Sequence, residues 1–383
     1  MPFLWSLGSK GMCVARGLRE GLDSMNLRLP GIGKRVSLGV DIGAGSVKAL
    51  EIAVQGKEKG FALKGAGVCT MPHEAIVQGA FLDSGAIVET IQEAVRATGS
   101  RTKDVVVAVS GHSVIVKKVS LPSMSRAELE QQIQWEAEQY IPFDVNEVNL
   151  EFEILESPGD EAQMEVLLVA AKKDLIDDYM QVVADAGLNL LAIDVASFAL
   201  ANAYEINYEV RPESVVALVN IGAQGVNINV LQGGVPSFTR DIATGGGEYT
   251  QEIQKALSVS FEEAERIKRG ENVTAEGQEI VPQEVEHAMR SVTDTLVNEI
   301  TRSLDFFAAT EADSQIGKIL LSGGGARVVG LARAFEEKTG LEVEILNPLS
   351  RMLPTEKFEA GFLEELAPSL GVGIGLAARR VNL

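Results

Sequence analysis

Residues 38–52 read LGVDIGAGSVKALEI, and the fold turns on what this stretch does. Leu38, Val40 and Ile42 alternate as in a strand that carries one acid, Asp41; the chain then breaks at Gly43 and Gly45 and returns through Ser46 and Lys48 to apolar residues. Taken alone, the pattern suits a plain tight hairpin and equally a backbone bared to hold a phosphate. Residues 215–234, VVALVNIGAQGVNINVLQGG, repeat the layout, with Asn220 where Asp41 stands, Gly222 where Gly43 stands, and Gly225 one residue later than Gly45. A strand-turn-strand element recurring half a chain away predicts two pseudo-equivalent halves. Two opposed glycine turns can aim backbone N–H groups at a triphosphate from both sides, with Lys48 adding charge and Asp41 holding Mg²⁺ through water. A third cluster, in KILLSGGGARVVGL (residues 318–331), sets Gly323, Gly324 and Gly325 between a buried strand and a helix.

Other phosphate holders are missing: no G-x-x-x-x-G-K-[ST] occurs, and no G-x-G-x-x-G opens a helix. A formal net charge of -20 argues against a nucleic-acid partner. At 383 residues, 46% hydrophobic and 23% charged, the chain reads as a globular protein of two domains or one elaborate one. Cys13 and Cys69 make neither a metal spacing nor a disulfide framework, and His73, His112 and His287 are too scattered for a His-based metal site. No uncharged apolar run reaches the length of about eighteen residues that a membrane span needs, and the N-terminus lacks a signal-peptide pattern, so the expected address is the cytoplasm.

From Val36 strands and helices alternate, which predicts an α/β architecture. SRAELEQQIQWEAEQYIPF (residues 125–143) opens with a capping box, Ser125 with Glu128, and ends at Pro142. Its spacing puts Leu129, Ile133, Ala137 and Tyr140 on one helical face and Trp135 on the other. Strands NLEFEIL and MEVLLVAA, joined through a polar SPGDE turn, and helix KDLIDDYMQVVADAG complete a compact α+β unit expected over residues 114–190. A long amphipathic helix follows from the spacing of Val285, Met289, Val292, Leu296, Ile300, Leu304 and Phe307. The closing LGVGIGLAARR reads as a helix whose small residues admit another backbone, since each glycine within it costs about 1 kcal/mol relative to alanine. Residues 1–36 are basic and glycine-rich. They read as a disordered leader, a start placed upstream of a true one at Met25, or a basic arm for an anionic membrane surface.

The paired hairpins and the late G-G-G turn resemble the actin-like ATPase superfamily of actin, sugar kinases, DnaK-type chaperones, FtsA and MreB, across residues 36–383. The stretch LPSMSRAELEQQIQWEAEQYIPFDVNEVNLEFEIL (residues 121–155), and WEAEQYIPF most of all, resembles the PilM family of type IV pilus assembly proteins. The resemblance implies an α/β, actin-like (ribonuclease H-like) two-lobed ATPase fold with an inserted small α+β subdomain. Its parts are a leader (1–36), a first lobe (37–113 and 191–212) interrupted by the insert (114–190), a second lobe (213–370) and a C-terminal helix returning to lobe 1 (371–383). ATP and Mg²⁺ are the implied ligands. Asp41, Gly43, Ala44, Gly45, Ser46 and Lys48 match the first phosphate hairpin, with Asp41 near the metal. Asn220, Gly222, Ala223 and Gln224 match the second, and Gly246 and Gly247 of GGGEYT a turn along the nucleotide. Glu265, Lys268 and Arg269 of ERIKRG match a helix on the adenosine side, with a plain solvated helix carrying a Glu265–Arg269 ion pair as the competing reading. Gly323, Gly324, Gly325 and Arg327 match the adenosine motif.

Two positions depart from the superfamily. Asn220 replaces an acid and removes a negative charge beside the metal. Asp194 stands where DnaK-type chaperones place a water-polarising Glu; it is read as a catalytic base or, in the plainer alternative, as a cap of the following helix. Slow or negligible ATP turnover is therefore expected. As a PilM-like protein the chain is expected to bind the cytoplasmic N-terminal segment of PilN, with Trp135, Tyr140, Ile141 and Phe143 lining the groove or, in the plainer alternative, packing in the insert's core, which Tyr140's place on the apolar stripe favours and Trp135's place off it does not. It is expected to join the PilN/PilO inner-membrane complex and the assembly and retraction ATPases, to self-associate into a ring, and to serve pilus biogenesis and twitching motility. The alternatives are an FtsA-like cell-division membrane anchor and a small-molecule kinase of the same fold.

Overall fold

The computed structural model describes residues 5–6, 37–55, 60–155, 162–270, 283–311, 314–353, 358 and 360–379. Within the expected leader only the two-residue strand β1 (Trp5–Ser6) is described, and the SPGDE turn lies outside the described residues. The opening motif forms β2 (Leu38–Ile42) and β3 (Ser46–Gln55), an antiparallel pair with Asp41 directly opposite Lys48. β4 (Gly60–Thr70) extends this pair, and two short strands, β5 (Ile76–Val77) and β6 (Ala80–Phe81), make a separate hairpin. Helix α1 (Ser84–Thr98) starts at Asp83, whose side chain accepts from Ala86 N–H at 3.0 Å, and stops at left-handed Gly99. β7 (Asp104–Val109) then pairs parallel with β2, and Val105, Val106, Val107 and Val109 are all fully buried. A strand apolar on both faces needs cover on both sides of its sheet.

The chain next leaves this sheet. β8 (Val114–Pro122), α2 (Arg126–Ala137), β9 (Val148–Leu155) and β10 (Gln163–Lys172) form a three-stranded antiparallel sheet, β8-β10-β9, with one helix. The capping box is present: Ser125 N–H donates to Glu128, and Glu128 N–H donates to Ser125 Oγ. Leu129, Ile133 and Ala137 are buried against Val119, Leu121, Phe152 and Leu168. Helix α3 (Lys173–Asp185) packs between this unit and the first sheet: its Ile176, Tyr179, Val182 and Val183 share one core with Val105 and Val107 of β7 and with Leu155, Leu167 and Val169 of the insert. α3 leads into β11 (Asn189–Val195), which pairs parallel with β7, and a crossover between parallel neighbours has to lie on the face of their sheet. α3 thus serves the insert by packing and the first lobe by topology.

α4 (Ala196–Asn207) leads to the second half: β12 (Val215–Ile221), β13 (Val226–Gln232), β14 (Val235–Ile242), α5 (Gly247–Leu257), α6 (Phe261–Lys268), α7 (Gln283–Thr310), β15 (Lys318–Ser322), α8 (Leu331–Thr339) and β16 (Glu342–Ile345). α7 buries Val285, Val292, Leu296, Ile300, Leu304 and Phe307 along one stripe, as the spacing predicts. The strand orders are β4-β3-β2-β7-β11, with β1 beyond β11, and β14-β13-β12-β15-β16. In both, the first three strands are antiparallel and the last two join in parallel, so the echo between the hairpins extends to whole sheets. α9 (Ala360–Leu366) and α10 (Gly371–Ala378) close the described chain.

A shared core joins the halves: Val106, Ala108, Ala199, Leu200, Val372 and Leu376 pack with Val216, Leu218, Leu231 and Leu320. α10 runs close along the first sheet and α4. A Cβ on Gly375 would run into the Ala199 carbonyl, and one on Gly39 into the Gly373 carbonyl. The mid-helix glycines are thus where backbones meet, and the dispersion gained at that approach offsets their conformational cost.

Candidate nucleotide site

Both hairpins turn at glycines, and the two turns face each other. A Cβ built on Gly45 would lie 3.1 Å from Ala223 Cβ. Gln224 reaches across, its Nε2 donating to the Ile76 carbonyl at 2.6 Å while its Oε1 accepts Gln78 N–H at 2.8 Å. His73 packs against Phe261 of α6 with ring centroids 3.9 Å apart and the rings tilted by 42°. At the first turn Gly43 N–H donates to the Ser46 carbonyl at 3.2 Å. Lys48 pairs with Asp41 at 3.1 Å, only 14% and 20% exposed, and also donates to the Ser46 carbonyl at 3.3 Å. The cation therefore stands at the hairpin mouth, with Asp41 as its counter-ion.

The other glycine clusters converge on the second hairpin. Gly246 N–H donates to the Gly222 carbonyl at 2.8 Å and Gly247 N–H to the Ala223 carbonyl at 2.7 Å, which ties the start of α5 to the turn. Gly323, with φ of 87°, lies against Ile221 and Asn220, a conformation and a closeness that only glycine tolerates. The Gly246 side of α5 and Gly325 are neighbours: a Cβ on the first would lie 3.6 Å from the second's Cα. Lys268 donates to the Gly246 carbonyl at 3.3 Å and to Thr250 at 2.9 Å, and it pairs with Glu265. Burial raises the Glu265 carboxyl, but Lys268, Thr250 and Arg269 outweigh it and hold it below the usual carboxylate range. Arg269 pairs with Glu265 at 3.5 Å and is largely exposed, so the ion pair foreseen for a solvated helix coexists with a half-buried Lys268 against the glycine turn. Arg327 pairs with Glu365 at 3.0 Å near the Gly323–Gly325 turn.

Lys48→Ala, which removes the cation from the mouth, is expected to weaken binding of a fluorescent ATP analogue on the order of tenfold while leaving the melting temperature nearly unchanged.

Three sequence expectations are corrected. Asp194 does not open on the cleft: its side chain is 0% exposed, forms an ion pair with Arg379, and accepts Val195 N–H at 2.8 Å. It does not cap α4 either, since that helix has Val195 at its N-cap and no side-chain cap. Ile141 is 6% exposed and belongs to the insert's core, so it cannot line a peptide groove. Tyr140 and Phe143 pack partly against the same core, Phe143 beneath the Lys172 ammonium at 4.7 Å; only Trp135, 65% exposed, projects freely from α2.

Sequence reading also missed residues. Asn227, opposite Asn220 on β13, and Asp241, opposite Asn227 on β14, continue the second hairpin's polar position across the sheet. Their only sequence signal is a polar residue at the start or end of an apolar strand. Among the described residues no group of three or more His, Cys, Asp or Glu could hold a metal ion, and no helix is long and apolar enough to cross a membrane.

Two like-folded sheets meeting through apposed glycine hairpins define an actin-like two-lobed protein. The ethanolamine utilization protein EutJ from Carboxydothermus hydrogenoformans shares this fold, with a TM-score of 0.53 and 18% identity over 91% of this chain and 90% of that one. The family model for the type IV pilus assembly protein PilM matches residues 39–381, and the chain belongs to that family. A chain of the PilM-PilN type IV pilus biogenesis complex superposes with a TM-score of 0.80 and 28% identity, covering 92% of this chain and 100% of that one. The cell division protein FtsA of Bacillus subtilis (strain 168) is 26% identical over 257 residues, 60% of this chain; the alignment spans 56% of FtsA's own length.

Proposed function

We propose that this protein is an ATP-binding, actin-like scaffold of type IV pilus assembly that captures the cytoplasmic N-terminal segment of PilN. The observation that carries the reading is the end-to-end similarity to a chain of the PilM-PilN complex. In this reading ATP lies between the hairpins. Lys48 and the bared turn amides meet its phosphates, and Asp41 holds Mg²⁺ through water, the cation supplying charge neutralisation. Its adenosine end meets Lys268 and the Gly323–Gly325 turn. Turnover is slow, because Asn220 brings no charge to the metal and Asp194 is sealed in the core.

The insert is the partner module. Among the described residues its outer strand β9 leaves one edge without a neighbour in the sheet, and Trp135 offers an exposed aromatic anchor, so an extended peptide can add to the edge and seat a side chain on the ring. PilN would hold the protein at the cytoplasmic face of the inner membrane, beside PilO and the assembly and retraction ATPases. Self-association into a ring, a role in pilus biogenesis and a role in twitching motility belong to the same reading. The test is a titration of a labelled PilN N-terminal peptide, with and without Mg·ATP. Saturable binding is expected, weakened about tenfold or more by Trp135→Ala. Absence of saturable binding by the wild type would overturn the reading.

A further inference from the structure

Across the second sheet, at the level of the hairpin, four polar residues stand in a row on four adjacent strands: Ser322, Asn220, Asn227 and Asp241. Ser322 Oγ is engaged with the Pro368 carbonyl at 2.9 Å, and the other three are joined by their side chains. Asn227 Nδ2 donates to Asp241 Oδ1 at 2.9 Å, and Asn220 Nδ2 donates to Asn227 Oδ1 at 3.0 Å. Asp241 Oδ2 accepts Gly111 N–H at 2.5 Å, from the loop between β7 of the first lobe and β8 of the insert.

The direction of this relay follows from the ionised form of Asp241, which the Asn227 and Gly111 N–H groups support against the burial that raises its carboxyl. A carboxylate only accepts, so Asn227 has to turn its NH₂ group toward Asp241. Its oxygen then faces Asn220, which can answer only with its own NH₂. Asn220 Oδ1 is left pointing toward the Gly323 turn, where a Cβ on Gly323 would lie 2.8 Å from it. Turning either amide around would set oxygen against oxygen.

We infer that Asp241 is a positioning residue of the nucleotide site: acting through Asn227, it makes Asn220 present a carbonyl oxygen rather than an NH₂ group at the second hairpin. The inference rests on the nucleotide reading above for its ligand. A neutral acceptor at this position can still take a hydrogen bond from a metal-bound water, so the relay restores an acceptor where the acid is absent. The same carboxylate clasps Gly111, which joins the second hairpin to the loop leading into the insert.

A charge swap tests this. In Asn220→Asp, two carboxylates flank Asn227, whose NH₂ can face only one of them. In Asp241→Asn, the new amide keeps the Gly111 bond with its oxygen and donates to Asn227, which reverses the row and turns the Asn220 NH₂ outward. The double variant satisfies every bond in the reversed direction, with the carboxylate now at position 220. Asn220→Asp is expected to lower the melting temperature by about 3 °C or more, and the double variant to return within about 1 °C of wild type. Binding of a fluorescent ATP analogue, compared in Mg²⁺ and in EDTA, is expected to lose about fivefold of its Mg²⁺ dependence in Asp241→Asn and to recover it in the double variant. Additive melting shifts, or an unchanged Mg²⁺ dependence in Asp241→Asn, would overturn the inference. A wild type that binds no nucleotide overturns the reading of the site and the ligand role of Asn220, while the melting cycle still decides whether the row exists.

Discussion

Asp194→Ala lowers the unfolding free energy by about 3–5 kcal/mol in a urea titration, the range expected when one partner of a buried ion pair is removed. The carboxylate is fully enclosed at the C-terminal end of β11, and its partner Arg379, 4% exposed, follows α10. Burial draws the Arg379 guanidinium down to about 9, which leaves it cationic at neutral pH. Truncating the acid strands that cation in the core, and with it the helix threaded between β2, β3 and α4. Arg379→Ala should cost a similar amount, and the double variant less than the sum of the two, because the second removal takes away the charge that the first left unpaired. Arg379→Met in an Asp194→Leu background can recover stability, as apolar replacements of buried pairs do. Additive single effects, or an Asp194→Ala loss under about 1 kcal/mol, would show that the pair contributes little. The same variants separate structure from ligand binding: any fall in binding of a fluorescent ATP analogue should follow the folded fraction alone.

Asp194 shows where sequence reading stops. Its neighbours in LAIDVASFALANAY suggest a strand end and a helix start, and both are present. What an acid does at such a junction depends on its partner, and Arg379 lies at the far end of the chain. The hairpins were legible because each is local: strand alternation, glycines at the turn, and a second copy. The shared strand order of the two sheets was not, because it is made by long-range pairing of β7 with β11 and of β15 with β16. The row from Asn220 to Asp241 escaped for the same reason, since a register across three strands cannot be seen in any one of them. Helix α3 follows the insert directly in sequence, and only the parallel pairing of β11 with β7 shows that it also serves lobe 1 as a crossover. Ile141 was misplaced because helical periodicity carries no information past Ala137, where α2 ends and the chain folds back onto the insert's core.

Raising the pH from about 4.5 to 8 should destabilise the protein through Glu151, by up to about 4 kcal/mol in total. Glu151 lies in β9 opposite Val169, 7% exposed. Burial pushes its carboxyl up to about 8, against the pull of the Arg126 guanidinium, which lies over Phe152 and pairs with Glu153 at 3.6 Å. Below pH 4.5 the carboxyl is protonated in both the folded and the unfolded chain, and its contribution is fully present. As the pH rises, the unfolded chain ionises at the ordinary value while the folded chain holds its proton, so stability falls with each unit until the folded group also ionises near 8. Glu151→Gln keeps the shape and removes the titration. The difference between wild type and variant in denaturant midpoint should therefore widen steadily from pH 5 to pH 8, with the variant the more stable at the upper end. Parallel curves for the two proteins across that range would show that Glu151 ionises in the fold as freely as it does in the unfolded chain. Because this acid sits in the sheet whose edge is proposed to take the PilN peptide, its ionisation is also expected to loosen peptide binding above pH 8, and Glu151→Gln should abolish that loss.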